Sequence, residues 1–377
     1  MNLPTHAAAL LLGLSAATAH AGWTITDIGT LSPNSAQTFS AATGLNDLGQ
    51  AVGVSLTPGG AQHAFVWSAQ GGMVDLGDLP GGDNYSSAAA INNAGTVTGS
   101  SSVAYATQGF HAFRWTAGAS LVDLGAKPSN AYYSQGLGIN SAGTIVGYTG
   151  LSTSTTAYTV AEGGAMTLLF KPSGSSTQAN AINDNTLIAG FTLKTNGSTR
   201  ATLWNGGTRT ELSDLDGGAD YSTAVALNNA GLVVGSSSAA DGGHAVYWTP
   251  AGQIVDLGDL PGGPVAATAY AVNEAGDIVG VGSIAGGEHR ALLWRGGQMV
   301  DLSSLPEVQT QGWVLSQALA INEHGQIAGW GYHGGLQRGF VLSPVTAPVP
   351  EPGTWALLAA GLGVVATRAR RRVAPAA

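Results

Sequence analysis

The sequence predicts an all-β fold: a seven-bladed β-propeller closed by its N-terminal strand and followed by a short C-terminal apolar helix. Three observations predict it. An aliphatic-Asn pair recurs seven times at intervals of 43 to 49 residues. Each repeat carries four short runs of strand-forming residues, the pattern of a propeller blade. The last repeat has only three such runs, and the missing one stands at the other end of the chain. Composition agrees. With 44% hydrophobic residues, 9% charged residues and 57 glycines, the chain has apolar surface to bury but lacks the composition of a helical bundle.

Residues 1–21 read as a secretory signal peptide. The apolar run Ala7–Leu14 is followed by small residues and by Ala19-His20-Ala21, which places cleavage after Ala21, although Met1–His6 lacks the usual basic residue. There is no cysteine, so disulfides, thiolate catalysis and Cys-ligated zinc are excluded. Residues 22–350 hold nine basic against 21 acidic side chains, so nucleic acid is not an expected partner.

Residues 22–345 are the repeats. The pairs are Leu45-Asn46, Ile91-Asn92, Ile139-Asn140, Ile182-Asn183, Leu227-Asn228, Val272-Asn273 and Ile321-Asn322. Glycine stands seven positions after every Asn, and three positions after it in six copies, with Thr186 the exception. Asn-x-x-Gly is hairpin chemistry: Asn bonds its own backbone two residues on, and Gly takes the left-handed turn position. The first strand is expected to end at the Asn and the second at the offset-seven glycine. The third is the block His63-Ala-Phe-Val-Trp67 and its copies, and the fourth is Val74-Asp75-Leu76-Gly77 and its copies. The Trp of the third block is expected to pack between adjacent sheets. The recurring His63, His111 and His244 read as structural, and the arginines of the third strand as solvated.

Closure follows from the ends. No fourth run follows Leu342, but Ile25-Thr26-Asp27-Ile28-Gly29 matches Val74–Gly77 and its copies. An N-terminal strand that completes the last blade closes a ring, whereas an open solenoid, the alternative, needs caps.

The candidate ligand site lies in the loops that lead from the fourth strand of one blade to the first of the next. Asp78–Ser86 and Asp214–Ser222 carry Tyr85 and Tyr221, and Tyr133 holds the same position in another copy. These rings are expected to stack sugars, with Asp83 and Asp220 accepting hydroxyl protons or holding Ca2+. No other cofactor, no resident metal and no catalytic residue is expected. Nucleophile-elbow, zincin and Walker motifs are absent from the sequence.

The C-terminus reads Pro350-Glu351-Pro352 in a Pro-rich linker, 346–352. An apolar helix and basic tail follow, 353–377, with Arg368, Arg370, Arg371 and Arg372. Fourteen apolar residues span about 21 Å at ~1.5 Å each, a marginal transmembrane helix against a ~30 Å core. The basic cluster is expected to stay cytoplasmic and the body to cross.

This tail resembles the PEP-CTERM sorting signal of exported bacterial proteins. The resemblance implies an exosortase-type enzyme as partner beside the export machinery. It also implies transient insertion in the inner membrane, then removal of the tail and release to the cell surface or extracellular space. Residues 23–343 resemble the HAF-repeat extracellular proteins, a resemblance that implies a place and a fold but no reaction. The function expected is a non-enzymatic binding or structural propeller of the cell surface or matrix, possessing extracellular polysaccharide as a candidate partner. The alternatives are a polysaccharide lyase or glycosidase with a site on the same face, and a permanently anchored membrane protein.

Overall fold

The computed structural model describes residues 22–34, 38–103, 109–126, 131, 133–151 and 153–345. Alternating small and apolar residues form almost nothing but strands. Trp23–Ser343 is one compact unit of seven four-stranded antiparallel blades; four are separate sheets, and the fourth to sixth are joined by short parallel pairings into one 12-stranded sheet. The first sheet comprises Ser40–Leu45, Ala51–Leu56, Gln62–Ser68 and Gly72–Asp75. The others repeat this order, their first strands being Ser86–Ile91, Tyr133–Ile139, Ser176–Ile182, Gly217–Leu227, Val265–Val272 and Trp313–Ile321. The seventh sheet takes Trp23–Asp27 as its outermost strand, hydrogen-bonded to Leu336–Pro344. The architecture is propeller-like.

The two conserved glycine offsets within the repeat have different causes. Glycines three positions after the Asn have φ between +71° and +82°, and Thr186 is forced to +63°. The offset-seven glycines do not end the second strand, as the sequence reading had it; Gly53 sits in the middle of Ala51–Leu56. Each faces a β-bulge in the first strand, between Ala42 and Gly44 in the first sheet and at the equivalent place in all seven. The bulge pushes a carbonyl into the space of the missing side chain. A Cβ on any of the seven glycines would lie 1.8 to 2.0 Å from that oxygen.

The core lies between sheets. Trp248 packs on Ala189, Ala201 and Leu212 of the preceding blade, and its indole donates to the Ser213 carbonyl at 2.8 Å. Trp204 does the same on Val146 and Ala157, donating to Phe170 at 3.0 Å. Burying ~150–250 Å² per Trp contributes roughly 4–6 kcal/mol before entropy. A serine staple adds direction. The Ala112 amide donates to Ser134 Oγ of the next blade, and Gly339 donates to Ser40 Oγ in the same way, both at 2.9 Å.

The expected membrane-spanning helix is corrected. Among the described residues no helix is long and apolar enough to cross a membrane; the α-helix there is the five-residue Pro306–Thr310. The arithmetic of the tail already fell short of a hydrocarbon core. The signal peptide with Ala21, and the tail with Pro350, Glu351, Pro352, Arg368, Arg370, Arg371 and Arg372, lie outside the described residues.

Candidate functional site

The seven first strands line a central shaft of about 530 Å³. Each of these strands ends one residue before its Asn, and the seven asparagines form a ring. Every Asn Oδ1 accepts the amide four residues on at 2.9 Å, which holds the hairpin; Asn46 and Asn322 also accept the amide two residues on, as expected, from Leu48 and His324 at 3.1 Å. Every Nδ2 also donates to the carbonyl of the next Asn, at 3.0 to 3.3 Å, from Asn46 to Asn92 and so on round to Asn322 and back to Asn46. The side chains are 2 to 6% exposed, so each bond is made away from water. The sequence points to each Asn bonding its own hairpin, two residues on rather than four, and does not, by spacing alone, reveal the bond to the next blade. Its signal was the absolute recurrence of Asn, where hairpin chemistry alone tolerates Asp or Ser.

A second tier lies just outside the ring. The residues following the asparagines pass amide-to-side-chain bonds from blade to blade: Asp184 to Asn229, Asn229 to Glu274, Glu274 to Glu323 and Glu323 to Asp47. Burial, and then the neighbouring Glu274 and Asp47 carboxylates, raise the Glu323 pKa, although the Glu274 amide opposes this. Among the described residues no group of three or more His, Asp or Glu is arranged to hold a metal ion.

The third and fourth strands pair a basic side chain with a carboxylate at one register. His63 Nδ1 lies 2.9 Å from Asp75, His111 from Asp123 and His244 from Asp256. Arg338 approaches Asp27 in the seventh blade at 3.9 Å, and Arg200 bridges Asp214 and Asp220 in the fourth. The arginines are therefore tied down, which corrects their reading as solvated positions; Arg114 donates across to Gly143 and Val160 of the next blade. Each Asp also accepts the amide two residues on, at 2.7 to 2.8 Å from Gly77, Gly125, Gly258 and Gly29. Burial raises the Asp123 pKa, but His111 and the Gly125 amide outweigh it and leave the pKa lowered. Burial lowers that of His244, but Asp241 and Asp256 reverse it.

The loop residues singled out for sugar binding start the first strands, at the end away from the asparagines. Their surroundings differ. Tyr85 packs edge-on against Phe110, with centroids 5.2 Å apart. Tyr133 donates its hydroxyl to the Leu151 carbonyl at 2.7 Å and meets Tyr148 edge-on. Asp220 is committed to Arg200. Asp83 is exposed, and Tyr221 is 45% exposed. Tyr221 is not in a loop: its strand begins at Gly217 and pairs in parallel with Thr199 of the preceding blade. The ring contacts of Tyr85 and Tyr133 stay within their own blades.

Residues 348–372 match the PEP-CTERM protein-sorting motif, so the chain carries the tag of an exported protein that an exosortase-type system sorts to the surface or beyond. No curated protein matches the chain in sequence. Among solved structures it is similar to virginiamycin B lyase from Staphylococcus aureus (12% identity, 85% of this chain and 99% of that one, TM-score 0.52). It is also similar to the β-propeller domain of the Trilobed protease from Pyrococcus furiosus (9% identity, 82% and 96%, TM-score 0.51). At these identities the likeness is one of fold.

Proposed function

We propose that residues 22–345 form a closed seven-bladed propeller that works at the cell surface or in the matrix as a non-enzymatic binding module for extracellular polysaccharide. The observation that carries this reading is the pairing of a basic side chain with a carboxylate at one register in the first, second, fifth and seventh blades. In those four blades the pairs occupy side chains that an acid–base mechanism draws on and fasten the third strand to the fourth. Closure is supported by the strand Trp23–Asp27 in the seventh sheet and by the asparagine ring. The sorting motif supports the destination.

The contact face of this reading is the end of the first strands away from the asparagines, where Tyr221 and Asp83 are open to solvent. An aromatic face stacks on a sugar ring, and a carboxylate accepts its hydroxyls. Titration of the purified body with envelope polysaccharides tests the reading, with Tyr221→Ala and Tyr85→Ala as comparisons. Saturable binding weakened in Tyr221→Ala, with polysaccharide chain length unchanged after incubation, is the expected result. Affinity unchanged in both variants removes this face, and shortened chains replace the binding module with an enzyme.

A further inference from the structure

We propose that the central shaft is a binding site for one small, neutral, mostly apolar molecule that carries a hydrogen-bond acceptor. The repeat fixes the shaft wall at two levels. The residue before each Asn is aliphatic, and the one before that is Gly or Ala: Gly44, Ala90, Gly138, Ala181, Ala226, Ala271 and Ala320. Three positions before the Asn the repeat relaxes. There the wall carries Thr43, Ala89, Leu137, Asn180, Val225, Tyr270 and Leu319, seven residues of six kinds. A propeller that only needed to fill its axis has no use for such asymmetry. A wall that orients one ligand does.

The chemistry of the wall defines the ligand. No Asp, Glu, Lys, Arg or His lines the shaft. An ion entering it would lose hydration without gaining a partner. At the asparagine end, Leu45, Ile91, Ile139, Ile182, Leu227 and Ile321 line both the shaft and a polar vestibule of about 210 Å³ that holds Asp47, Asp184, Glu274 and Glu323. This aliphatic collar separates the charged rim from the apolar interior. Within the shaft the polar atoms are mostly used: Thr43 Oγ1 donates to Ala88 at 2.8 Å, and Asn180 donates to Ala224 at 2.7 Å while accepting from Gln178 at 2.8 Å. The Tyr270 hydroxyl has no hydrogen-bond partner among the described residues. Burial raises its pKa, so it stays neutral and remains a donor. The site is independent of the polysaccharide face, because it shares no residue with it.

Nile red, neutral and bearing a carbonyl acceptor, is the probe. Blue-shifted emission saturating at one molecule per chain is expected. Leu137→Trp and Leu319→Trp, which fill the shaft from two blades, are expected to lower affinity tenfold or more, with unchanged thermal melts showing that they fold. Tyr270→Phe keeps the shape and removes the hydroxyl, and is expected to weaken binding roughly fivefold, the worth of one neutral hydrogen bond. The anionic dye 1-anilinonaphthalene-8-sulfonate is expected not to compete. The proposal is overturned by a shift that does not saturate, by full binding in the folded Trp variants or in Tyr270→Phe, or by equal competition from the anion.

Discussion

The side-chain amide of Asn322 donates to the main-chain carbonyl of Asn46 at 3.0 Å, although 276 residues separate them. The same bond joins neighbours about one repeat apart everywhere else in the ring, so the junction of last blade with first is chemically the same as the other six. A buried donor and acceptor that lose each other cost about 1–3 kcal/mol. Asn228→Ala is therefore expected to destabilise by about that amount. Asn228→Asp is expected to cost more, since it keeps the shape but sets a buried carboxylate against the Asn273 carbonyl. Chemical denaturation of the two variants checks the order, and an Asp variant as stable as the parent would argue against the ring.

Gly235 faces the Thr223 carbonyl, where a Cβ would lie 1.9 Å from the oxygen. The oxygen belongs to backbone held by the bulge, so nothing yields easily. Gly235→Ala is expected to cost about 3 kcal/mol or more. Gly243→Ala, in the next strand of the same blade with open space at its Cβ position, is expected to be tolerated. Thermal melts of the pair report the difference.

Thr186 occupies the turn position that is glycine in the other six repeats, at φ +63°. A β-branched residue in the left-handed region costs roughly 1–2 kcal/mol, partly offset by the greater freedom of unfolded glycine. Thr186→Gly is expected to stabilise the protein by about 0.5–1 kcal/mol, read as a higher denaturation midpoint.

The raised His244 pKa gives a pH dependence of known sign. A pKa higher in the folded than in the unfolded state adds stability that is fully present below the unfolded value, 6.5 for an ordinary His, and is lost as pH rises through the folded value. His244→Gln removes that contribution. The stability gap between parent and variant is expected to be larger at pH 5 than at pH 8.5, measured by denaturation at both. A gap that grows with pH would contradict the pairing with Asp241 and Asp256.

Much of the fold was legible in the sequence because the repeat states each constraint seven times. The strand order, the Trp residues between sheets and the match of Ile25–Gly29 to Val74–Gly77 all follow from local pattern. Asp27 even caps Gly29 as Asp75 caps Gly77, each at 2.8 Å. What escaped was geometry between blades. A bulge leaves no mark of its own in composition, so Gly53 and its copies looked like strand ends. The second bond of each Asn runs to another repeat, which spacing alone does not reveal. The site was less legible. Tyr85, Tyr133 and Tyr221 share one repeat position, yet the first two rings are spent on Phe110, Tyr148 and Leu151, and only Tyr221 is left open. The tail resemblance held because a sorting motif is read from sequence itself. The fourteen apolar residues of the tail fall short of a ~30 Å hydrocarbon core by count alone.

Ring closure rests on Trp23–Asp27 as the outer strand of the seventh blade, with the Ile28 amide donating to Gly339 at 3.2 Å. Hydrogen exchange of the segment 23–31 in the folded protein, read by mass spectrometry, tests this directly. Protection comparable to that of the fourth strand Gly72–Asp75 is the predicted result. Exchange at the rate of an open chain, while Leu336–Pro344 stays protected, would contradict it.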